Sequence, residues 1–200
     1  MPLPDLQLRV AASAYPISRT EAKAHCKVDH TAEDTYIDGL IAAATAHVES
    51  MTGLALIESE WSAWFAEWPC DGKLIIPKAP LASVEEINYT ERTGTETTWA
   101  STDYEVDTKA MPGVVALAWG KSWPSADLRR ANPIEVQFTA GYADAAAVPV
   151  SIKHAILLLI GHWYKNREAV TVGNTASSVS APLMMGVQSL LGAIERPVYF

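Results

Sequence analysis

Phenylalanine is scarce, cysteine nearly absent and positive charge in the minority. Two cysteines, Cys26 and Cys70, cannot build a disulfide framework, which excludes a small disulfide-stapled scaffold. Fifteen Lys and Arg stand against 23 Asp and Glu, a formal net charge of −8. A chain built to grip nucleic-acid phosphates shows the opposite balance, so that class is set aside. The most apolar run, Ala155–Gly161, is far short of the roughly 20 residues that a bilayer crossing needs. Met1–Val10 holds Asp5 and Arg9 and no apolar centre, so it is not expected to be a secretory signal. The chain is expected to be soluble and intracellular when made. A glycine-rich phosphate loop, a nucleophile elbow and a paired-histidine zinc helix are all missing from the sequence.

What is present suffices for a folded domain. The 200 residues are 49% hydrophobic and 19% charged, enough to bury a core. Seven tryptophans and seven tyrosines against three phenylalanines give that core, or its interfaces, a rigid aromatic component. Charge is uneven along the chain. Residues 1–53 carry four basic and seven acidic side chains, residues 54–148 seven and fourteen, and residues 149–200 four and two.

The first quarter reads as helical. Ser18 with Glu21 forms a capping-box pattern ahead of a short helix. A second start at Thr31, with Glu33 and Asp34 in the first turn, leads into an apolar stripe of Ile37, Leu40, Ile41, Ala44, Val48 and Met51. Gly53 is placed to end it. From residue 54 to 142 the pattern turns to short strands, expected at Lys73–Ile76, Val84–Tyr89, Tyr104–Val106, Val114–Trp119 and Ile134–Thr139, with a hairpin at Gly94. Glu58–Trp68 fits a helix face through Trp61, Trp64 or Phe65 and Trp68, and a strand through Trp61, Ala63 and Phe65; its aromatic enrichment favours the strand. Pro149 opens a further helix to about Asn166. It carries one stripe of Ile152, Ile156, Leu159 and Trp163 and a second of Leu157, Ile160 and Tyr164. A helix apolar on both sides is either central to its domain or shared with another chain. Residues 169–181 have the Thr, Ser and Val composition of a linker. Leu183, Val187, Leu190, Leu191 and Ile194 then return to helical spacing. So short an amphipathic segment must dock on its own domain or on a partner.

The residues offer little chemistry. His25, Cys26 and His30 are the best metal candidates but lack a second ligand cluster, so no metal is expected. Cys70 reads as a packed or exposed thiol. His154 and His162 share one side of a helix with no carboxylate near them in sequence. A hydrolase assembled around His162 from distant residues stays open as an alternative. Glu85 and Glu86 are adjacent in a strand, and alternation sends them to opposite faces. Arg129 and Arg130, near Lys121, read as solvated loop residues. No catalytic group and no cofactor site emerges.

Several stretches together carry a resemblance. They are Thr20-Glu21-Ala22-Lys23-Ala24-His25, Ile41-Ala42-Ala43-Ala44-Thr45 running on to Thr52-Gly53, Pro80-Leu81-Ala82-Ser83-Val84 and Asp103-Tyr104-Glu105-Val106-Asp107. Thr139-Ala140-Gly141-Tyr142, His162-Trp163-Tyr164-Lys165-Asn166-Arg167-Glu168 and Gly186-Val187 with Leu190-Leu191 complete the set, in order and over nearly the whole chain. In these the sequence resembles the head–tail connector, or adaptor, family of tailed bacteriophages and related prophage elements. Cys26 departs from the aliphatic residue expected at its position.

The resemblance implies a structural protein without catalytic residues or cofactors. Such adaptors form a ring, typically of twelve copies, beneath the portal at the capsid vertex. They extend the DNA channel and carry further connector or tail-completion proteins, and DNA passes through without specific binding. The chain would lie at the head–tail junction of the virion, after assembly in the host cytoplasm, with no membrane partner. A negatively charged lumen would keep DNA sliding. The fold implied is α+β, mainly a helical bundle with a small β-rich insertion and a tethered C-terminal amphipathic segment. Its connector domain would span residues 1–168, with helices 18–53 and 149–167 around an insertion at 54–142. A linker at 169–182 and a docking segment at 183–200 would follow. Leu183, Val187, Leu190, Leu191 and Ile194 are expected to meet the portal. Leu157, Ile160 and Tyr164 are expected to meet neighbouring copies. An assembly chaperone absent from the finished particle is the other reading held open.

Overall fold

The computed structural model describes residues 4–167 and 180–192. In chain order the elements are β1 (Asp5–Val10), α1 (Arg19–Cys26), α2 (Asp34–Thr52), β2 (Ser59–Phe65), β3 (Lys73–Ile75), β4 (Leu81–Thr90) and β5 (Glu96–Thr98). They continue with β6 (Tyr104–Asp107), β7 (Val114–Leu117), β8 (Ile134–Ala140), α3 (Val150–Lys165) and α4 (Ser180–Gly192). These form two compact units, one holding the described strands and one the described α-helices.

The β unit joins the chain up to Ser13 with Gly53–Ala143. A five-stranded antiparallel sheet runs β1-β2-β8-β4-β5, and a three-stranded one runs β3-β7-β6. Alternation in β8 is strict: Ile134, Val136, Phe138 and Ala140 are buried while Glu135, Gln137 and Thr139 are half-exposed. Its buried row joins Ala63, Phe65, Leu81 and Ile87 of the large sheet with Leu74 and Val115 of the small one in a single core. At one end of that core, Trp68 stacks on Trp123 with centroids 4.9 Å apart and planes 12° apart, and Trp99 lies against Tyr104, also at 4.9 Å. With Tyr89 against Trp68, five of the fourteen Trp and Tyr residues gather here.

This overturns part of the expected fold. The chain is α+β, but it is sheet-rich and not mainly a helical bundle with a small insertion. The strands close a core of their own, and β1 joins them from ahead of the first helix. Alternation also fails at Glu85 and Glu86, where the β4–β8 register shifts between Val84 and Glu86. The extra residue lets the Glu85 Oε1 accept from Thr139 Oγ1 at 2.7 Å and Ser83 Oγ at 2.8 Å. Glu86 pairs with Gln137 and accepts from Asn88 Nδ2 at 3.0 Å. Thr139 and Gln137 are two residues apart in β8, so both carboxylates reach the same polar face of the sheet. Neutral donors satisfy each of them.

The helical unit takes Ala14–Thr52 and Asp144–Glu195. Ser18 and Glu21 form the expected capping box, with Ser18 N to Glu21 Oε2 at 2.8 Å and Glu21 N to Ser18 Oγ at 3.2 Å. Arg19 and Lys23 tie α1 to α2, Arg19 through Asp38 and Asp34 and Lys23 through Asp34 at 2.7 Å. In α2 the buried residues are Ile37, Leu40, Ile41, Ala44, Thr45, Val48 and Thr52, the predicted stripe with two threonines added and Met51 only half-buried. Their hydroxyls bond back to Ile41 O and Val48 O, each at 2.8 Å, which removes the cost of burying them. The helix begins at Asp34, three residues after the expected start. Helix α3 packs on α1, α2 and α4, so its two apolar sides mark it as central to its unit. No described helix is long and apolar enough to cross a membrane.

Candidate functional site

Val187 and Leu191 of α4 are fully buried against their own unit, while Leu183 and Leu190 are half-buried and Met185 is exposed. The tethered segment therefore docks on its own chain through two of the five residues expected to meet the portal. Ile194 and most of the 169–182 linker lie outside the described residues. Of the three α3 residues expected to meet a neighbouring copy, Ile160 is fully buried in its own unit, Tyr164 is engaged within the chain, and Leu157 is half-buried.

Tyr164 belongs to a cluster that closes the end of α3. Its hydroxyl donates to Glu33 Oε2, and Arg167 Nη2 donates to Glu33 Oε1. The Arg167 guanidinium lies 4.6 Å from the Tyr36 ring centroid and 4.9 Å from that of Tyr164. One carboxylate thus gathers a phenol and a guanidinium from more than 130 residues away. The Tyr164 hydrogen bond and then Arg167 hold the Glu33 carboxyl below the usual carboxylate range. The same bond pushes the Tyr164 phenol above its ordinary value. A depressed Glu33 adds stability above its unfolded-state pKa and loses it as pH falls through the folded one. A raised Tyr164 adds stability below its unfolded-state pKa and loses it only as pH rises through the raised value. The cluster is therefore intact at neutral pH. The Glu33→Gln variant is expected to melt lower than the wild type at pH 7, with the two curves converging as pH drops below about 4. Thermal melts followed by circular dichroism across pH 3–8 would check it, and a constant gap would show that the Glu33 charge contributes nothing.

Hollows open on the helical unit, two of them formed by described residues around α1. One, of about 260 Å³, is lined by residues of α1, α3 and α4 including His25, Cys26, Leu158, Gly161, His162 and Leu183. It contains the histidine of the hydrolase alternative, but among the described residues no carboxylate lines it. His162 Nδ1 sits 3.3 Å from the amide of Asn166, and the one lining hydroxyl, of Tyr164, is committed to Glu33. Burial pushes the Cys26 thiol up, away from a reactive thiolate. The other hollow, of about 490 Å³, lies beside α1 and α2. Among the described residues no group of three or more His, Cys, Asp or Glu is placed to hold a metal ion, and His25, Cys26 and His30 do not converge. His154 and Cys70 are exposed.

In the β unit the structure brings out a residue that the sequence reading passed over. The expected Val114–Trp119 strand ends at Leu117, and Trp119 stands on a turn with its side chain 100% exposed. Lys121 N donates to Ala118 O at 3.0 Å across this turn, and Gly120 takes the positive φ of 73° that it requires. Lys121 Nζ meets Asp103 Oδ1 at 2.7 Å, which pulls the Asp103 carboxyl below its usual range. Arg129 donates to Asn132 O at 2.7 and 3.2 Å, closing its loop, and Arg130 is exposed. A tryptophan followed by glycine at the end of a strand pattern was the available signal for a turn.

No curated protein matches the chain. Its fold recurs in solved structures of gene transfer agent (GTA) particles. A chain of the native GTA virion is 24% identical, with a TM-score of 0.76 over 98% of this chain and 96% of that one. One from the neck of an empty GTA particle computed with C6 symmetry is also 24% identical, with a TM-score of 0.75 over 98% and 97%. One from the neck of a native particle computed with C12 symmetry is 22% identical, with a TM-score of 0.69 over 98% and 97%. The head completion protein family model matches residues 17–183, which takes in both the β core and the helical unit, and the chain belongs to that family.

Proposed function

We propose that this chain is a head–tail connector, a structural protein of the virion that sits beneath the portal, extends the DNA channel and carries the proteins that complete the tail junction. Membership of the head completion family over residues 17–183 carries the reading. The fold likeness to chains of particle necks computed with C6 and C12 symmetry supports a ring of identical copies. Within such a ring, Val187 and Leu191 hold α4 on its own unit with the half-buried Leu183 and Leu190 flanking them, and the side bearing the exposed Met185 is left for the portal. Leu157 is the α3 residue left for a neighbouring copy. The formal charge of −8 per copy suits a conduit that DNA traverses without sticking.

Quantitative mass spectrometry of purified particles tests this. One copy of the chain per copy of portal protein is the expected ratio. Absence from intact, tailed particles would remove the connector reading and favour an assembly chaperone.

A further inference from the structure

The outer face of the large sheet gathers negative charge that its own chain leaves uncompensated. Glu60, Ser62 and Trp64 of β2 pair with Thr139, Gln137 and Glu135 of β8, and Glu86 of β4 pairs with Gln137 from the other side. The register shift adds Glu85, so four carboxylates share this face, each within about 10 Å of the next. Ser62 Oγ donates to Glu135 Oε1 at 2.6 Å, and neutral donors likewise hold Glu85 and Glu86. The ion pair on the face, Arg9 Nη1 to Glu60 Oε2, is stretched to 4.0 Å. Like charges on neighbouring strands repel, and a local cost that the chain does not relieve marks a working surface.

The helical unit leaves the complementary charge unpaired at one place. Arg19 and Lys23 are taken by Asp34 and Asp38, Lys153 by Glu21, and Arg167 by Glu33. Lys27 and Lys165 are exposed, have no ion pair among the described residues, and stand at the C-terminal ends of α1 and α3. Lys165, His25 and His162 line the hollow of about 260 Å³ there, with Leu158 and Leu183 as its apolar wall. Gly161 gives the His25 ring its seat, since a Cβ would lie 2.9 Å from Nε2. An imidazole offers a hydrogen-bond donor in either charge state, so both histidines can serve a carboxylate.

We propose that the acidic face of the large sheet in one copy docks on this basic hollow in the next copy of the ring. This rests on the connector reading, because a closed ring of identical chains needs two different, complementary surfaces on each one. Lys165 pairs with Glu86, at the centre of the face, and Trp64, half-exposed beside Glu135, rests on Leu158 and Leu183 as the apolar anchor. Two copies that met sheet to sheet or hollow to hollow would repel, which favours head-to-tail closure over a two-fold pair.

A zero-length carbodiimide, which joins an amine to a carboxylate only when they touch, tests this in purified particles. The expected product is a ladder of multiples of the chain, with Lys165 or Lys27 joined to Glu60, Glu85, Glu86 or Glu135 of another copy. Links from these lysines to other carboxylates, or to the same four within one copy, would overturn the docking while leaving the connector reading in place. So would no link in particles that contain the chain at portal stoichiometry, the result if the lysines face DNA. Absence of the wild-type chain from particles would overturn both. Charge exchange gives a second readout. Glu86→Lys and Lys165→Glu are each expected to enter particles about tenfold less than the wild type, and the chain carrying both to recover to within about threefold. Failure of the double variant to recover, or normal incorporation of either single one, would overturn the proposal.

Discussion

Replacing Gly141 with alanine is expected to destabilise the β unit by about 2–5 kcal/mol, the sum of a backbone penalty and an overpacking penalty. Gly141 follows β8 with φ of 130°, a region that L-residues rarely enter. An added Cβ would lie 2.4 Å from both C and O of Ile57 and 2.5 Å from N of Glu58. These are backbone atoms, so no side chain can rotate away. The site also joins three strands, with Gly141 N on Pro80 O at 2.8 Å and Glu58 N on Tyr142 O at 3.0 Å. Relief of the clash would have to pull β2 from β8. Urea denaturation followed by tryptophan fluorescence measures the effect. Gly39→Ala is the matched control, because that glycine lies in α2 with nothing within 4 Å of an added Cβ. It is expected to stabilise by about 0.5–1 kcal/mol, the gain of replacing a helical glycine. Equal effects of the two would show that the Ile57–Glu58 backbone yields freely.

The second large effect is expected at Leu191. Leu191→Asp puts a carboxylate where a fully buried leucine packs in the helical unit. Val187 and Leu191 are the fully buried side chains described on α4, each worth about 1.5–3 kcal/mol of burial. A charge at one of them exceeds what the other can hold. Helix α4 should let go while α1, α2 and α3 stay folded on their shared stripe. Amide exchange across 180–192 should then speed up about 100-fold or more, with α2 protection little changed. Unchanged protection in α4 would mean that another contact holds it. The same burial decides between the two docking surfaces open to the segment in favour of its own domain, so removing the chain after Glu168 would bare part of α3 to water.

The helices were the most legible part of the sequence, because one face of each repeats at helical spacing. Ser18 with Glu21, and the stripe from Ile37 to Val48, needed only local chemistry to be read. Strand β8 was legible at a period of two, and β4 and β7 as β-rich runs bounded by turn residues. In β1 the alternation of Leu6, Leu8 and Val10 with Asp5, Gln7 and Arg9 was present, but the segment was weighed only as a signal peptide. Strand β5, Glu96–Thr98, has no apolar residue to betray it. What local patterns could not supply is pairing over distance. The order β1-β2-β8-β4-β5 and the Glu33–Tyr164–Arg167 cluster join residues that are remote in sequence. The register shift beside Glu85 depends on the partner strand, so alternation alone misplaced one carboxylate. Nor does a sequence distinguish a tryptophan that completes a core, such as Trp123, from one displayed at a turn, such as Trp119.

The position of β8 shapes how the protein is made. It is the middle strand of its sheet and the last of the eight to leave the ribosome. Until Ile134–Ala140 emerges, β2 has only β1 beside it and β4 only β5. The strand edges that β8 will pair wait open through synthesis, that of β2 for some seventy residues from Phe65 to Ile134 and that of β4 for about forty-five from Thr90. Such non-local closure makes for a slow collapse and a nascent chain that invites aggregation. A host that overproduces this protein at a raised temperature should therefore lose it to inclusion bodies through unpaired β2 and β4, well before the finished fold reaches its melting point.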